Sequence, residues 1–439
     1  MRYVYYFPKS ILFLFQPSWK TISLILIVIG TILRLSTFFM MEPDWDPTLY
    51  AVMGKSFLER GEFYNPTVSF NDWTYSHHFP PMYPVYLSGF FAVFGFRVET
   101  LQAASITSSF LVIIASYFTT RSIFGKEKAW LVGGLVAINP MLIYYAGAGY
   151  SENLLLFFFI ITMWAIIKGI KNDRYILLAG LFAGFGYLTK SSMSYFFLIA
   201  GIGGFLWRFY YLRWKIFKNI YYLSAIGIFM SFVALWAYRN IVHFGDWQTS
   251  YYLSLYFANV TQYPYEFAYS TGVHLIFFII YFLFWSIYFL KNFYRMPKLK
   301  DEVNSCLFLS ILLVYSIAWL ITSIIWVFER GPLFDYTMRY VLVANISILW
   351  LAVKTFKVQN SCTRHEARGT RQKAIGTLHI APFIAYITVM LIVATTVIPV
   401  IGGLSYDRGD IRLYRELAKI VQPDDVIFID TRVYESLLV

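Results

Sequence analysis

The sequence has few charged residues and almost no cysteine. Charged side chains make up 14% of the 439 residues, whereas hydrophobic side chains make up 59%. No soluble domain of this length needs so much apolar surface, so the composition excludes an ordinary soluble protein. Cys306 and Cys362, the two cysteines, lie in or beside different apolar segments without the spacing of metal ligands. Each is therefore expected to be a small hydrophobic side chain.

Apolar runs of membrane-spanning length recur along the chain. A helix needs about 20 residues to cross a hydrocarbon core of roughly 30 Å, and backbone groups in lipid must find hydrogen-bond partners within each segment. The pattern predicts an all-α integral membrane domain over residues 1–402, with about eleven transmembrane helices. The expected spans are near 21–40, 99–120, 128–147, 152–170, 175–189, 191–208, 219–238, 273–290, 306–328, 338–356 and 377–402.

Lys and Arg residues are concentrated in alternate short loops. These basic loops are 121–128, 168–174, 208–218, 291–300 and 364–373. Because positive loops remain on the cytoplasmic side, the charges predict a cytoplasmic N-terminus and a long extracytoplasmic first loop at residues 41–98. The same distribution explains the net charge of +12 without nucleic acid, which would call for one basic face.

Residues 403–439 have a different pattern from the apolar segments before them. Residues 411–421 have helical periodicity, and residues 425–430 read as a short buried strand. The pattern predicts the start of a soluble extracytoplasmic domain. Because about 30 residues are too few for a core of their own, the chain is expected to be a truncated or split form.

Two carboxylates stand at the beginning of the first outer loop. Asp44 and Asp46 are two residues apart, and such a pair repels itself unless a metal, a proton or a positive substrate group lies between them. They are candidates for a general base or for metal ligands. The alternative is that they cap the helix predicted over residues 50–59, which Gly61 ends.

Two vicinal histidines follow in the same loop. His77 and His78 precede a proline-rich turn at Pro80, Pro81 and Pro84 that leads into an apolar helix. Both cannot face one site from a regular helix, so at most one is expected to ligate a metal or to contact phosphate. The alternative is a solvated pair of loop residues.

Five sequence elements occur in one order over about residues 20–350. They are Asp46-Pro47-Thr48-Leu49-Tyr50 with Gly61 and Pro80-Pro81-Met82-Tyr83, then Glu152 within 150–154, a glycine-rich stretch at 180–190 ending in Thr189-Lys190, Trp236-x-x-Arg239-Asn240 with Gly245, and Arg339-Tyr340. The ordered set resembles the polyprenyl-phosphate-dependent GT-C glycosyltransferases, including protein O-mannosyltransferases and lipid A aminoarabinose transferases. The family's second acid is Pro47 here, and an extra acid, Asp44, lies upstream.

The resemblance implies a role for each matching residue. Asp46 is the preferred catalytic base because of its spacing to Tyr50, and Asp44 is the second candidate. Cations at membrane depth are costly unless they meet an anion, so Lys190, Arg239 and Arg339 are expected to bind the lipid phosphate. Their alternative role is snorkelling to the membrane interface or structural pairing with Glu152, Asp335 or Glu329. The remaining candidates are Glu152, Tyr50, Tyr83 and His78 as supporting residues, and Glu152 with His77 or His78 as metal ligands.

The resemblance also implies the reaction and its partners. A sugar, mannose or a similar one, would pass with inversion from a polyprenyl-phosphate or dolichyl-phosphate carrier to a protein, glycan or lipid acceptor. The site would be extracytoplasmic, in a plasma membrane or endoplasmic reticulum. The resemblance makes no cofactor certain, and a divalent metal remains an open alternative.

Two other classes of protein fit a polytopic chain. A transporter or lipid flippase often has internal repeats and charges in the middle of spans, whereas this sequence has no repeat of fixed period and its acids and cations gather at one face. An inactive scaffold homologue would not need the ordered set of five elements.

Overall fold

The computed structural model describes residues 19–41, 43, 45–65, 74–75, 79–191 and 195–244. This part of the chain is a bundle of helices, which confirms the predicted all-α membrane fold. The spans predicted after residue 244 and the segment 403–439 lie outside the described residues, so the count of eleven helices stays a prediction.

Ten α-helices make up the described part. They are α1 (Trp19–Met40), α2 (Trp45–Arg60), α3 (Met82–Phe94), α4 (Val98–Phe124), α5 (Lys126–Ala137), α6 (Pro140–Gly147), α7 (Glu152–Gly169), α8 (Tyr175–Thr189), α9 (Tyr195–Leu212) and α10 (Ile220–Phe244). A 3-10 helix, Arg213–Lys218, joins α9 to α10. Within the first loop, β1 (Tyr64–Asn65) pairs antiparallel with β2 (Thr74–Tyr75).

Four of these helices, α1, α4, α7 and α10, are long and apolar enough to cross a membrane. Helices α5 and α6 form a fifth candidate span that is bent by 51°. Helix α8 and the apolar part of α9 are shorter. Exposed apolar side chains lie one turn apart on α1, at Leu24, Val28 and Ile32, the pattern expected of a helix face that contacts lipid.

Two helices, α5 and α6, occupy the span predicted near 128–147, so this candidate span is bent and not straight. The helix is interrupted between Ala137 and Pro140, because proline has no N–H for a helical hydrogen bond and its ring clashes with the preceding turn. Asn139 begins α6 by accepting the Met141 N–H at 3.0 Å. The helix predicted at 191–208 begins later, at Tyr195, and the loop helix predicted at 50–59 begins earlier, at Trp45.

Polar side chains of α4 hold α6 in place. They stand at positions i, i+3 and i+7, which face one direction on a helix, and each donates to a backbone carbonyl of α6. The contacts are Gln102 to Gly147 O at 2.9 Å, Ser105 to Tyr145 O at 3.0 Å and Ser109 to Leu142 O at 3.4 Å. Gln102 also donates to Met41 O at 2.7 Å, which brings the end of α1 to the same level.

Glycines allow α8 and α10 to pack closely. A Cβ at Gly180 would overlap the backbone of Ala225, and one at Gly184 would overlap the Phe232 ring. The contacts advance in the same direction along both helices, so α8 and α10 run parallel. Both helices therefore end on the side of the bundle where α7 begins.

The opposite end of the bundle has its own polar cluster. Arg208 of α9 donates to Asp173 Oδ1 at 2.9 Å, and Asn219 donates to Asp173 Oδ2 at 2.6 Å. The Asp173 carboxylate thus joins the loop after α7 to α9 and to the start of α10. It lies a full helix length from Glu152, so the two acids belong to different ends of the protein.

Candidate active site

The site is built around the turn between α6 and α7. Gly149 has a φ of +84°, a left-handed conformation that side chains other than glycine rarely adopt. A Cβ at Gly149 would stand 3.2 Å from Pro47 Cβ and 3.3 Å from Leu101 Cγ. The turn therefore needs glycine both for its backbone and for its packing, and it carries the chain into Glu152 three residues later.

Glu152 and Lys190 form an ion pair at this turn. Glu152 begins α7 and Lys190 directly follows α8, and 2.5 Å separates Lys190 Nζ from Glu152 Oε1. The exposed fractions of the two side chains are 1% for Glu152 and 13% for Lys190. Ser151 Oγ donates to the other carboxylate oxygen at 3.4 Å. Charges this deeply buried need such partners, because desolvation is costly without them.

Tyr83 and Tyr50 pack against each other next to the turn at Gly149. The Tyr83 hydroxyl donates to Gly149 O at 2.6 Å, and its ring meets the Tyr50 ring edge to face at 5.1 Å. Burial raises the pKa of Tyr83 well above its ordinary value, and the nearby charge of Glu152 acts in the same direction. The hydroxyl therefore stays protonated and remains a donor. The structure places both tyrosines in the packed interior as structural supports.

Asp46 lies beside the same turn. It is partly exposed in the first turn of α2, and its neighbour Pro47 is the residue that packs against Gly149. Asp46 therefore has a helix-terminal position, one of the two alternatives for this residue, at the end of the bundle that carries Glu152 and Lys190. Asp44, the second candidate base, lies outside the described residues, as do His77, His78 and Arg339.

Arg239 stands near the end of α10. Its guanidinium lies 4.7 Å from the centre of the Trp236 ring and donates to Asn240 Oδ1 at 3.1 Å. Helix α10 packs parallel to α8, with Phe232 opposite Gly184. At about 1.5 Å per residue, Lys190 and Arg239 each lie about 10 Å beyond that contact. The two cations are thus at about the same level of the bundle.

A metal site is not assembled by the described residues. Among them, no three His, Cys, Asp or Glu side chains lie together as ligands. Glu152, the described member of the predicted metal set, has one carboxylate oxygen on Lys190. The histidines of that set lie outside the described part.

Sequence reasoning missed the buried polar residues that hold the site in place. Arg34, Gln102 and Ser105 are all at most 2% exposed inside apolar helices. Arg34 had a readable signal, because a charged residue within a span is itself an indication of function. The signal for Gln102 and Ser105 was their spacing on one face of α4.

Comparisons with known proteins agree with this architecture. Residues 78–238 match the family model described as dolichyl-phosphate-mannose-protein mannosyltransferase. YkcB of Bacillus subtilis (strain 168), a provisionally assigned mannosyltransferase, is 30% identical over 112 residues, which are 25% of this chain and 15% of that protein. The chain thus matches much less than two thirds of this relative.

Solved structures give the same result for the fold. ArnT of Cupriavidus metallidurans bound to undecaprenyl phosphate has a TM-score of 0.57 at 13% identity, over 94% of this chain and 84% of ArnT. AglB of Archaeoglobus fulgidus, in complex with an inhibitory peptide and a dolichol-phosphate, has a TM-score of 0.50 at 16% identity, over 92% and 58%. The chain therefore shares the fold of these two structures, the GT-C type.

Proposed function

We propose that this protein transfers a sugar from a polyprenyl-phosphate carrier to an acceptor, at the end of the bundle where α7 begins. One observation carries the proposal: the buried Glu152–Lys190 pair lies at the same end as Asp46 and Arg239. An acid next to cations at one membrane face suits a substrate with an anionic head and an apolar tail. The family match and the lipid phosphates bound by ArnT and AglB support this donor class.

The proposed chemistry is a single displacement at the anomeric carbon. The acceptor's hydroxyl or amine gives its proton to Asp46 and forms the new bond to the sugar. At the same time the bond between the anomeric carbon and the phosphate oxygen breaks, and the lipid phosphate leaves with the electron pair. The configuration inverts. Asp44 is the second candidate for the base.

Cations near the leaving group would stabilise the charge that develops on it. Arg239 offers a planar fork of donors suited to phosphate, and Arg339, in the undescribed part, is the further candidate. Lys190 is paired with Glu152, but an ammonium group has three donors. It can therefore hold Glu152 with one donor and a phosphate oxygen with another.

The charge distribution supports an extracytoplasmic site. Several exposed basic residues lie at or near the end of the bundle that is opposite Glu152. They are Lys171, Arg174, Arg213 and Lys218. By the positive-inside rule that end faces the cytoplasm, in a plasma membrane or an endoplasmic reticulum. Mannose is the proposed sugar because of the family match. The peptide bound by AglB favours a protein acceptor over a glycan or a lipid.

Turnover of defined donors tests the proposal. The purified protein would be incubated with radiolabelled undecaprenyl-phosphate and dolichyl-phosphate sugars, and release of the lipid phosphate would be measured with and without acceptors. Consumption of one donor supports the transferase. Binding without consumption, together with movement of the donor across sealed liposomes, would instead support the transporter.

A further inference from the structure

A buried arginine that takes no part in the proposed chemistry lies in the C-terminal third of α1. Arg34 is fully buried, at 0% exposure, inside a helix long enough to cross the membrane. Within the described part of the chain it makes no salt bridge. Burial of a charged group inside a span costs free energy, so hydrogen-bond acceptors other than a carboxylate must stabilise the guanidinium.

Those partners are concentrated at the break between α5 and α6. Arg34 Nη1 donates to Ala137 O and, at 3.0 Å, to Gly30 O, while Nη2 lies 3.5 Å from Val136 O. Val136 O also accepts the Asn139 N–H at 3.2 Å, whereas the Met141 N–H, the usual helical donor to Ala137 O, goes to Asn139 Oδ1. A side chain of a neighbouring helix thus supplies donors where a span is broken.

The electrostatics of the break favour a cation. The carbonyls of Val136 and Ala137 form the last turn of α5, and a helix carries a partial negative charge at its C-terminus. Gly30 lets α1 approach this turn, because a Cβ there would overlap the carbonyl of Ala137. The C-terminal end of α5, and not a carboxylate, therefore stabilises the guanidinium charge.

A short relay connects Arg34 to the turn that carries Glu152. Arg34 Nε donates to Ser109 Oγ at 2.8 Å, and Ser109 Oγ donates to Leu142 O at 3.4 Å. Asn153, the neighbour of Glu152, donates to the same carbonyl at 3.3 Å. The carbonyl of Leu142 thus receives one donor from the Arg34 side and one from the start of α7.

We propose that Arg34 is a positioning residue for the transfer reaction: it fixes the bend between α5 and α6 and thereby the placement of Glu152 beside Lys190, at the end of the bundle that carries Asp46. This inference rests on the proposed function for its effect on turnover. Its structural part, the fixing of residues 138–152, is independent of that function.

Hydrogen exchange of the purified protein tests the structural part. In Arg34→Met, backbone amides of residues 138–152 should exchange at least about tenfold faster, with little change in α8. Arg97→Met, which removes an exposed arginine before α4, is the matched control and should leave both segments unchanged. Faster exchange spread over the whole bundle, or no change at 138–152, would overturn the inference.

Kinetics of the same variants test the catalytic part. Because a misplacement of 1 Å can cost about a hundredfold, kcat per folded molecule should fall by about 10- to 100-fold, whereas KM for the donor should stay the same. Arg34→Lys should recover part of the loss. A purely structural role would lower the yield of folded protein and leave kcat unchanged, which would contradict the inference.

A second variant covers the case in which Arg34→Met does not fold. Ser109→Ala keeps the arginine and removes the relay, so it should show the same local increase in exchange at 138–152 and a smaller fall in kcat. If Ser109→Ala changes neither the exchange at 138–152 nor kcat, the hydrogen bonds through Ser109 do not connect Arg34 to the turn that carries Glu152. If the wild-type protein transfers no sugar from any donor, the proposed function fails, and the exchange experiment still decides whether Arg34 fixes this segment.

Discussion

Lys190 and Glu152 are 38 residues apart in the chain and meet with 2.5 Å between Nζ and Oε1, where α8 ends and α7 begins. The pair joins two neighbouring helices at the end of the bundle that also carries Asp46. It is the most deeply buried of the described ion pairs, so its energetic behaviour should differ from that of a surface pair.

Removal of one partner of this pair should strongly destabilise the protein. Glu152→Gln or Lys190→Met alone leaves an uncompensated buried charge, which costs about 3–5 kcal/mol, whereas the double variant should lose less than the sum of the two. Thermal unfolding in detergent measures this double-mutant cycle. The exposed pair Lys55 and Glu59, at 3.9 Å, is the control and should couple by about 0.5 kcal/mol or less. Additive effects at Glu152 and Lys190 would contradict the account.

Loss of the Tyr83 hydroxyl should weaken the turn at Gly149. Tyr83→Phe removes the donor to a buried carbonyl, so the free energy of unfolding should fall by about 1–3 kcal/mol. Tyr238→Phe changes a tyrosine that is 68% exposed and should stay within about 0.5 kcal/mol of the wild type. Equal stability of the two variants would show that the hydroxyl does not hold the turn.

Arg239 should contribute directly to binding of the lipid phosphate. Arg239→Met removes a charge-assisted donor, so the Kd for undecaprenyl phosphate should rise by about tenfold or more. Arg121→Met is the control, because it changes an exposed arginine in the last turn of α4, away from the candidate site. Fluorescence or calorimetric titration in nanodiscs measures both. If the two variants have the same Kd for undecaprenyl phosphate, Arg239 does not bind the lipid phosphate.

The orientation of the chain can be tested by cysteine labelling. In a background with Cys306→Ser and Cys362→Ser, Glu62→Cys should react with an impermeant maleimide on intact cells, because the first loop is expected outside. Lys218→Cys, at the other end of the bundle, should react only after permeabilisation. The reverse pattern would place the site on the cytoplasmic side.

Hydropathy predicted most helices because their length and apolar content decide whether they span a membrane. The prediction for α8 matches its bounds, Tyr175–Thr189, and the prediction for α7 differs by one residue at its end. The break at Asn139 and Pro140 was missed because an average over about 20 apolar residues does not register one lost N–H. The dipeptide itself was the readable signal.

The members of the candidate site were identified singly, but not their arrangement. Glu152, Lys190 and Asp46 were recognised from local sequence elements, and pairing of Lys190 with Glu152 was one of the alternatives to phosphate binding. The distance between their atoms depends on how α7 packs against α8. Gly149 and Pro47 bring Asp46 to the same turn through a contact between segments about 100 residues apart. Such packing has no signal in a single sequence.

Sugar transfer by carboxylate variants tests the central claim most directly. Release of labelled sugar from the lipid carrier would be compared between the wild type, Asp46→Asn and Glu59→Gln, which changes an exposed acid in the same helix. The account predicts that Asp46→Asn lowers turnover by about 10²-fold or more, that its Kd for undecaprenyl phosphate is unchanged, and that Glu59→Gln is fully active. Full activity of Asp46→Asn would contradict its assignment as the base, and loss in Asp44→Asn alone would move that role to Asp44.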